Sequence, residues 1–165
     1  HFVFQPQSRA EDLREYLYLN GFEIGEEKAV ELVAKTGFDA WDFSLFQMCK
    51  KKNGLLVPTK RPTAQSDYLS FARKLRQIGL DNGIVCNQGH APFPSSPQSA
   101  DYLKRAIECT AEAGGSICII HPMNNGTPKD NAQMYFELLP FAVAGKNPIL
   151  SGWDFLYNRS SRAGS

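Results

Sequence analysis

The sequence predicts an α/β fold made of parallel strand–helix repeats, and three observations carry that expectation. Short apolar, strand-like runs alternate along the chain with segments of helical period. The connections between successive strands are long enough to hold a helix, which parallel pairing requires and a hairpin does not. SICII, residues 116–120, is apolar almost without interruption, as in a strand covered on both faces. Right-handed crossovers follow from the chirality of strands and helices.

The elements read in order as follows. FVFQ (2–5) is a short strand, and Ser8 with Glu11 forms a capping box ahead of a helix carrying Leu13, Tyr16 and Leu17. Asn20-Gly21 stops that helix. A second helix, 26–35, places Ala29, Val30, Leu32 and Val33 inward and ends at Gly37. FDAWDFSLF (38–46) is an aromatic-rich strand, followed by a polar, Pro-containing loop over 50–65. Ser66 caps a helix to about Ile78, with Leu69, Ala72, Leu75 and Ile78 at helical spacing. IVCNQ (84–88) is a strand. The helix over 98–113 turns Leu103, Ala106, Ile107 and Ala111 inward and ends at Gly114-Gly115. After the strand 116–120, Thr127 and Pro128 occupy the N-cap and first positions of a helix to about Phe141. NPIL (147–150) is a last strand, and the polar tail frays.

Composition narrows the classes. The 165 residues suit one ordinary domain with a real core. Eighteen basic and seventeen acidic residues nearly cancel, so no strong field draws nucleic acid or an anionic membrane. No apolar run reaches the roughly 20 residues of a membrane helix, and the N-terminus carries no signal-peptide pattern. The chain opens on His1 rather than Met, which reads as a fragment or a processed product. Cys49, Cys86, Cys109 and Cys118 fit no zinc or CxxC spacing, so free buried thiols and a cytoplasmic setting are expected.

Two of the three histidines close strand-like runs, His90 in VCNQGHAPFP and His121 in ICIIHPMNN. Ligands of parallel α/β proteins gather beyond the carboxyl ends of the strands, where both fall. Gln88 alternates with His90 and points the same way. A His before Pro can equally hydrogen-bond a neighbouring carbonyl. Asp42 either faces this edge or caps the next segment. Asn124 and Asn125 either touch substrate hydroxyls or make an ordinary turn. Trp41 and Trp153 read as core, and the basic run at 50–52 with Lys60 and Arg61 as solvated loop.

From about Gly25 to Ala142 the chain resembles the sugar phosphate isomerase/epimerase family, the xylose-isomerase-like TIM barrels. The resemblance rests on GEEKAVELVAKTGFDAWDFSLF, DYLSFARKLRQIGLDNGIVCNQGHAPFP, LKRAIECTAEAGG, ICIIHPMNN and TPKDNAQMYFELLPFA, in that order. It implies that these are the second, third and fourth barrel strands with their helices. A whole barrel takes about 200–250 residues, so the implied fold is a partial TIM barrel, about half. Residues 1–24 instead resemble a segment of the bacterial tRNA adenine-N1 methyltransferases, through the QP strand end, LREYL and NGF. The two pieces meet near Ile24-Gly25, and a chimera, an engineered fusion or a chance similarity remain open. The organisation expected is a segment 1–24, a partial barrel 25–150 and a tail 151–165.

The isomerase resemblance implies metal-assisted proton transfer next to a sugar carbonyl, with Mn, Mg or Zn as the divalent cofactor. The usual carboxylate and His ligands of those sugar enzymes come from the fifth to eighth strands, which have no counterpart here. In the related endonuclease IV branch, histidines of the third and fourth strands bind zinc, which implies His90, His121 and, as a third ligand, Asp154. His90, Gln88, Asp42 and Asn124 are the implied substrate contacts. The implied partner is a sugar or sugar phosphate, and a second copy of the chain could complete the barrel as a homodimer. The alternative is a non-catalytic folded fragment or engineered chimera. DNA repair and tRNA methylation stand lower, for want of ligands, of phosphate affinity and of a glycine-rich cofactor loop.

Overall fold

A computed structural model of the chain describes residues 25–144 and the backbone of 149–151. The strand expected at 2–5, the helix after Ser8, the tail, Trp153 and Asp154 lie outside the described residues.

Helix α1, Gly25–Lys35, carries Glu26 and Glu27 in its first turn and Lys35 in its last, each matched to the helix dipole. Gly37, at φ 83°, takes the left-handed conformation that ends it. Strand β1 is Ala40–Ser44. Next come β2 (Cys49–Lys52) and β3 (Leu55–Pro58), an antiparallel pair. The loop expected over 50–65 is therefore largely a two-stranded ribbon. Asn53 and Gly54, both at positive φ (51° and 82°), make its two-residue turn, the conformation in which flanking strands twist correctly.

Helix α2 spans Tyr68–Asp81 and buries Ala72, Leu75 and Gly79. Ser66 does not cap it: Asp67 occupies the N-cap and makes no side-chain cap bond. Gly79 lets the helix settle on β1, since a Cβ there would lie 2.9 Å from Trp41 Nε1. Trp41 is core as expected, though its indole nitrogen has no hydrogen-bond partner among the described residues. Strand β4, Val85–His90, runs two residues beyond the expected strand and takes in His90. Helix α3 (Ala100–Glu112) follows a 3₁₀ turn at Pro97–Ser99, which a Ser96/Ser99 capping box opens. Strand β5 is Ile117–Ile120. Helix α4 runs from Pro128 to Ala144, with the expected Thr127 cap: Asp130 N–H donates to Thr127 Oγ1 (3.2 Å) and Thr127 N–H to Asp130 Oδ2 (2.9 Å). Strand β6 is Ile149–Ser151.

Strands β1, β4, β5 and β6 form one parallel sheet in that order, so spatial order follows chain order. This is the arrangement of successive units of a (β/α)8 barrel, four strands of it, as the sequence predicts. The helices lie on one face. Trp41, Phe43, Cys86, Cys118 and Ile120 are buried against them with Leu75, Leu103, Ile107 and Leu138. The opposite face holds Asp42, Ser44, Gln88, Ile117 and Ile119, which are exposed or half-buried. The expectation that β5 is covered on both faces thus fails among the described residues. Successive right-handed crossovers put the helices between these strands on the same side, which leaves Ile117 and Ile119 half-buried on the other.

Candidate functional site

Three expected site residues converge. The parallel register sets Asp42 opposite Gln88 and Ser44 opposite His90 at the carboxyl ends of β1 and β4. The pairing jumps from Trp41–Cys86 to Asp42–Gln88, so Asn87 has no residue opposite it in β1 and the strand bulges. Without that bulge the period of two would turn Gln88 and His90 toward the helices.

The Gln88 amide joins the group. Its Nε2 donates to Asp42 Oδ2 at 2.8 Å and lies 3.1 Å from His90 Nε2. An amide nitrogen carries two protons and no lone pair, so with this amide orientation His90 Nε2 accepts. The Nε2 lone pair is then directed at the Gln88 amide, and Asp42 Oδ2 lies 3.8 Å from the same nitrogen. Asn87 Nδ2 adds a long bond of 3.4 Å to Asp42 Oδ1. The Asp42 and His90 side chains are 49% and 40% exposed, so solvent or a ligand reaches both. Asp42 therefore faces the strand-end edge rather than capping the next segment. Asn87 escapes sequence reasoning, because a bulge leaves no mark in residue type.

His121 sits differently. Its ring meets Phe93 edge-on, with centroids 4.9 Å apart, and its carbonyl accepts from Ser95 Oγ at 2.5 Å. Asn124 lines a separate cleft of about 700 Å³ between the β4–α3 connection, the β5–α4 loop and α4. Lys51 on the ribbon reaches the same cleft, so one residue of the basic run borders a cavity instead of lying free in a loop.

A catalytic zinc takes three protein ligands. Among the described residues no three His, Cys, Asp or Glu side chains converge to hold a metal. Asp42 and His90 supply two adjacent donors, and Asp154 lies outside the described residues. The donor set described does not fit a three-ligand metal centre. Cys86, Cys109 and Cys118 are buried and make poor nucleophiles. Burial pushes the Cys86 and Cys109 thiols up to about 12 and Cys118 up to about 11. All four cysteines are free, as expected. No helix among the described residues is long and apolar enough to cross a membrane.

Neither a protein-family profile nor a curated protein matches the chain. Among solved structures it is similar to a sugar phosphate isomerase/epimerase from Parabacteroides distasonis ATCC 8503, at 12% identity and a TM-score of 0.45. The match covers 81% of this chain and 46% of that one, so the chain spans under half the length of the solved enzyme.

Proposed function

We propose that the Asp42–Gln88–His90 group binds a small hydroxylated carbonyl compound, a sugar, and that the chain is a partial sugar isomerase/epimerase-like protein. One observation carries this reading: a single amide bridges a carboxylate and an imidazole at the carboxyl ends of adjacent parallel strands. The motifs that resemble the isomerases contain the same three residues. A sugar hydroxyl that displaces the Gln88 amide donates to His90 Nε2, or to Asp42. The proton His90 takes up is then stabilised by the Asp42 carboxylate beside it. Gln88, set free, can donate to the sugar oxygen. Mn, Mg or Zn is implied by the resemblance, but no step is assigned to a metal because the described donors do not fit one.

Incubation with a ketose, in the presence and absence of Mn²⁺ or Mg²⁺, tests the catalytic half of the reading. Aldose or epimer formed by the wild type and lost in His90→Ala supports it; equal product from both refutes the role of His90. A second reading, a non-catalytic α/β piece, is favoured by the sheet face that the described residues leave uncovered, where Val85 is 54% exposed and Ile117 and Ile119 are half-buried. It predicts sheet-mediated pairing of two copies, visible by light scattering, without turnover.

A further inference from the structure

The cleft beside the strand ends has a chemistry of its own. Its walls come from the Pro94–Pro97 segment, the Met123–Gly126 loop and α4, with Lys51 at one rim. At about 700 Å³ it falls within the size range of small-ligand sites. Met123, Met134 and Pro94 supply apolar surface, while Asn124, Asp130 and Glu137 supply amide donors and carboxylate acceptors. Adjacent hydroxyls of a sugar are donors and acceptors at once, so they pair with both kinds of group. The C–H faces of such a ring lie against thioether and proline carbons.

Charge decides which sugar. Two carboxylates line the cleft against one ammonium, a balance of one negative charge. Both carboxylates are already oriented: Glu137 Oε1 accepts from Gln133 Nε2 at 3.0 Å, and Asp130 Oδ2 accepts from Thr127 Oγ1 at 2.6 Å. The Thr127 hydroxyl and then its backbone N–H hold Asp130 below the ordinary carboxylate range, so it stays ionised near neutrality. A phosphate dianion entering here meets net repulsion.

We infer that this cleft is a second sugar-binding subsite which takes a neutral, hydroxyl-rich ligand and disfavours its phosphate ester. It rests on the reading of the chain as a sugar-binding protein. The test is a titration of the ¹⁵N-labelled chain with D-fructose and with D-fructose 6-phosphate, followed by amide shifts. Neutral sugar should shift Asn124, Asn125 and Gln133, and the phosphate ester should need a concentration at least about tenfold higher. Glu137→Gln, at an exposed position that leaves the fold intact, should shrink that ratio to about threefold or less. Equal or tighter binding of the ester in the cleft overturns the inference, as does an unchanged ratio in Glu137→Gln. Shifts confined to Asp42, Gln88 and His90 also overturn it but leave the proposed function standing. Shifts confined to the cleft support it and remove the proposed function instead.

Discussion

Gly89 stands between Gln88 and His90, and its lack of a side chain is what lets β4 lie on α3. A Cβ at Gly89 would overlap Thr110 Oγ1 and come within 3.0 Å of Thr110 Cβ and 3.1 Å of Cγ2. Comfortable carbon contacts are about 3.5–4.0 Å and the overlap with Oγ1 is the most severe, so strand and helix would have to part by roughly an ångström or more. Thr110 cannot swing aside, since it is fully buried and its hydroxyl donates to Ala106 O at 2.7 Å. Overpacking of this kind costs about 1–3 kcal/mol. The lower chain entropy of unfolded Ala returns about 0.5 kcal/mol. Gly89→Ala should therefore destabilise by about 2 kcal/mol, lowering Tm by roughly 6 °C for a chain of this size.

Urea unfolding followed by far-UV circular dichroism reads that cost. Thr110→Ala removes the hydroxyl and methyl that the new Cβ meets, so the double variant should recover at least about 1 kcal/mol of the summed single losses. A Gly89→Ala protein as stable as wild type, or strictly additive losses in the double variant, would refute the packing described.

Three further outcomes follow. The raised thiols of Cys86, Cys109 and Cys118 stay protonated in the folded chain where unfolded thiols, at 9.0, ionise. Their contribution to stability is complete below pH 9 and is lost as pH rises toward 11–12, at up to about 1.4 kcal/mol per thiol per pH unit; pH-dependent urea unfolding checks this, and stability that rises above pH 9 contradicts it. With a thiol reagent at pH 8, half-buried Cys49 should react first and the other three only on unfolding. Thr127→Ala removes the cap of α4 and should cost about 1 kcal/mol, again by urea unfolding, whereas Thr127→Ser should restore most of it.

Much of this architecture was legible because its signals are local. Thr127-Pro128 marks the start of α4, and Gly37 ends α1, since capping chemistry and positive φ depend on a few adjacent residues. The ribbon was written too, in Asn53-Gly54, but the lysines and prolines around it mask a short turn signal. Asp42, Gln88 and His90 were legible as strand-end polar residues, whereas their joining through one amide depends on the bulge at Asn87. That bulge arises from pairing with β1, a long-range event no short window contains. Asn124 parts from His90 for a similar reason, because the loop after β5 wraps toward α4: Asn131 Oδ1 accepts from Met123 N–H at 2.7 Å.

The central claim is that Asp42, Gln88 and His90 act as one binding group, and the most direct measurement is the His90 imidazole resonance during titration with a neutral ketose. In the wild type it should shift and saturate. In Asp42→Asn the apparent Kd should rise at least about fivefold with Tm unchanged, because an exposed substitution of this size leaves stability within about 0.5 kcal/mol. A His90 signal that does not respond to sugar, or one that responds identically in Asp42→Asn, would contradict the account.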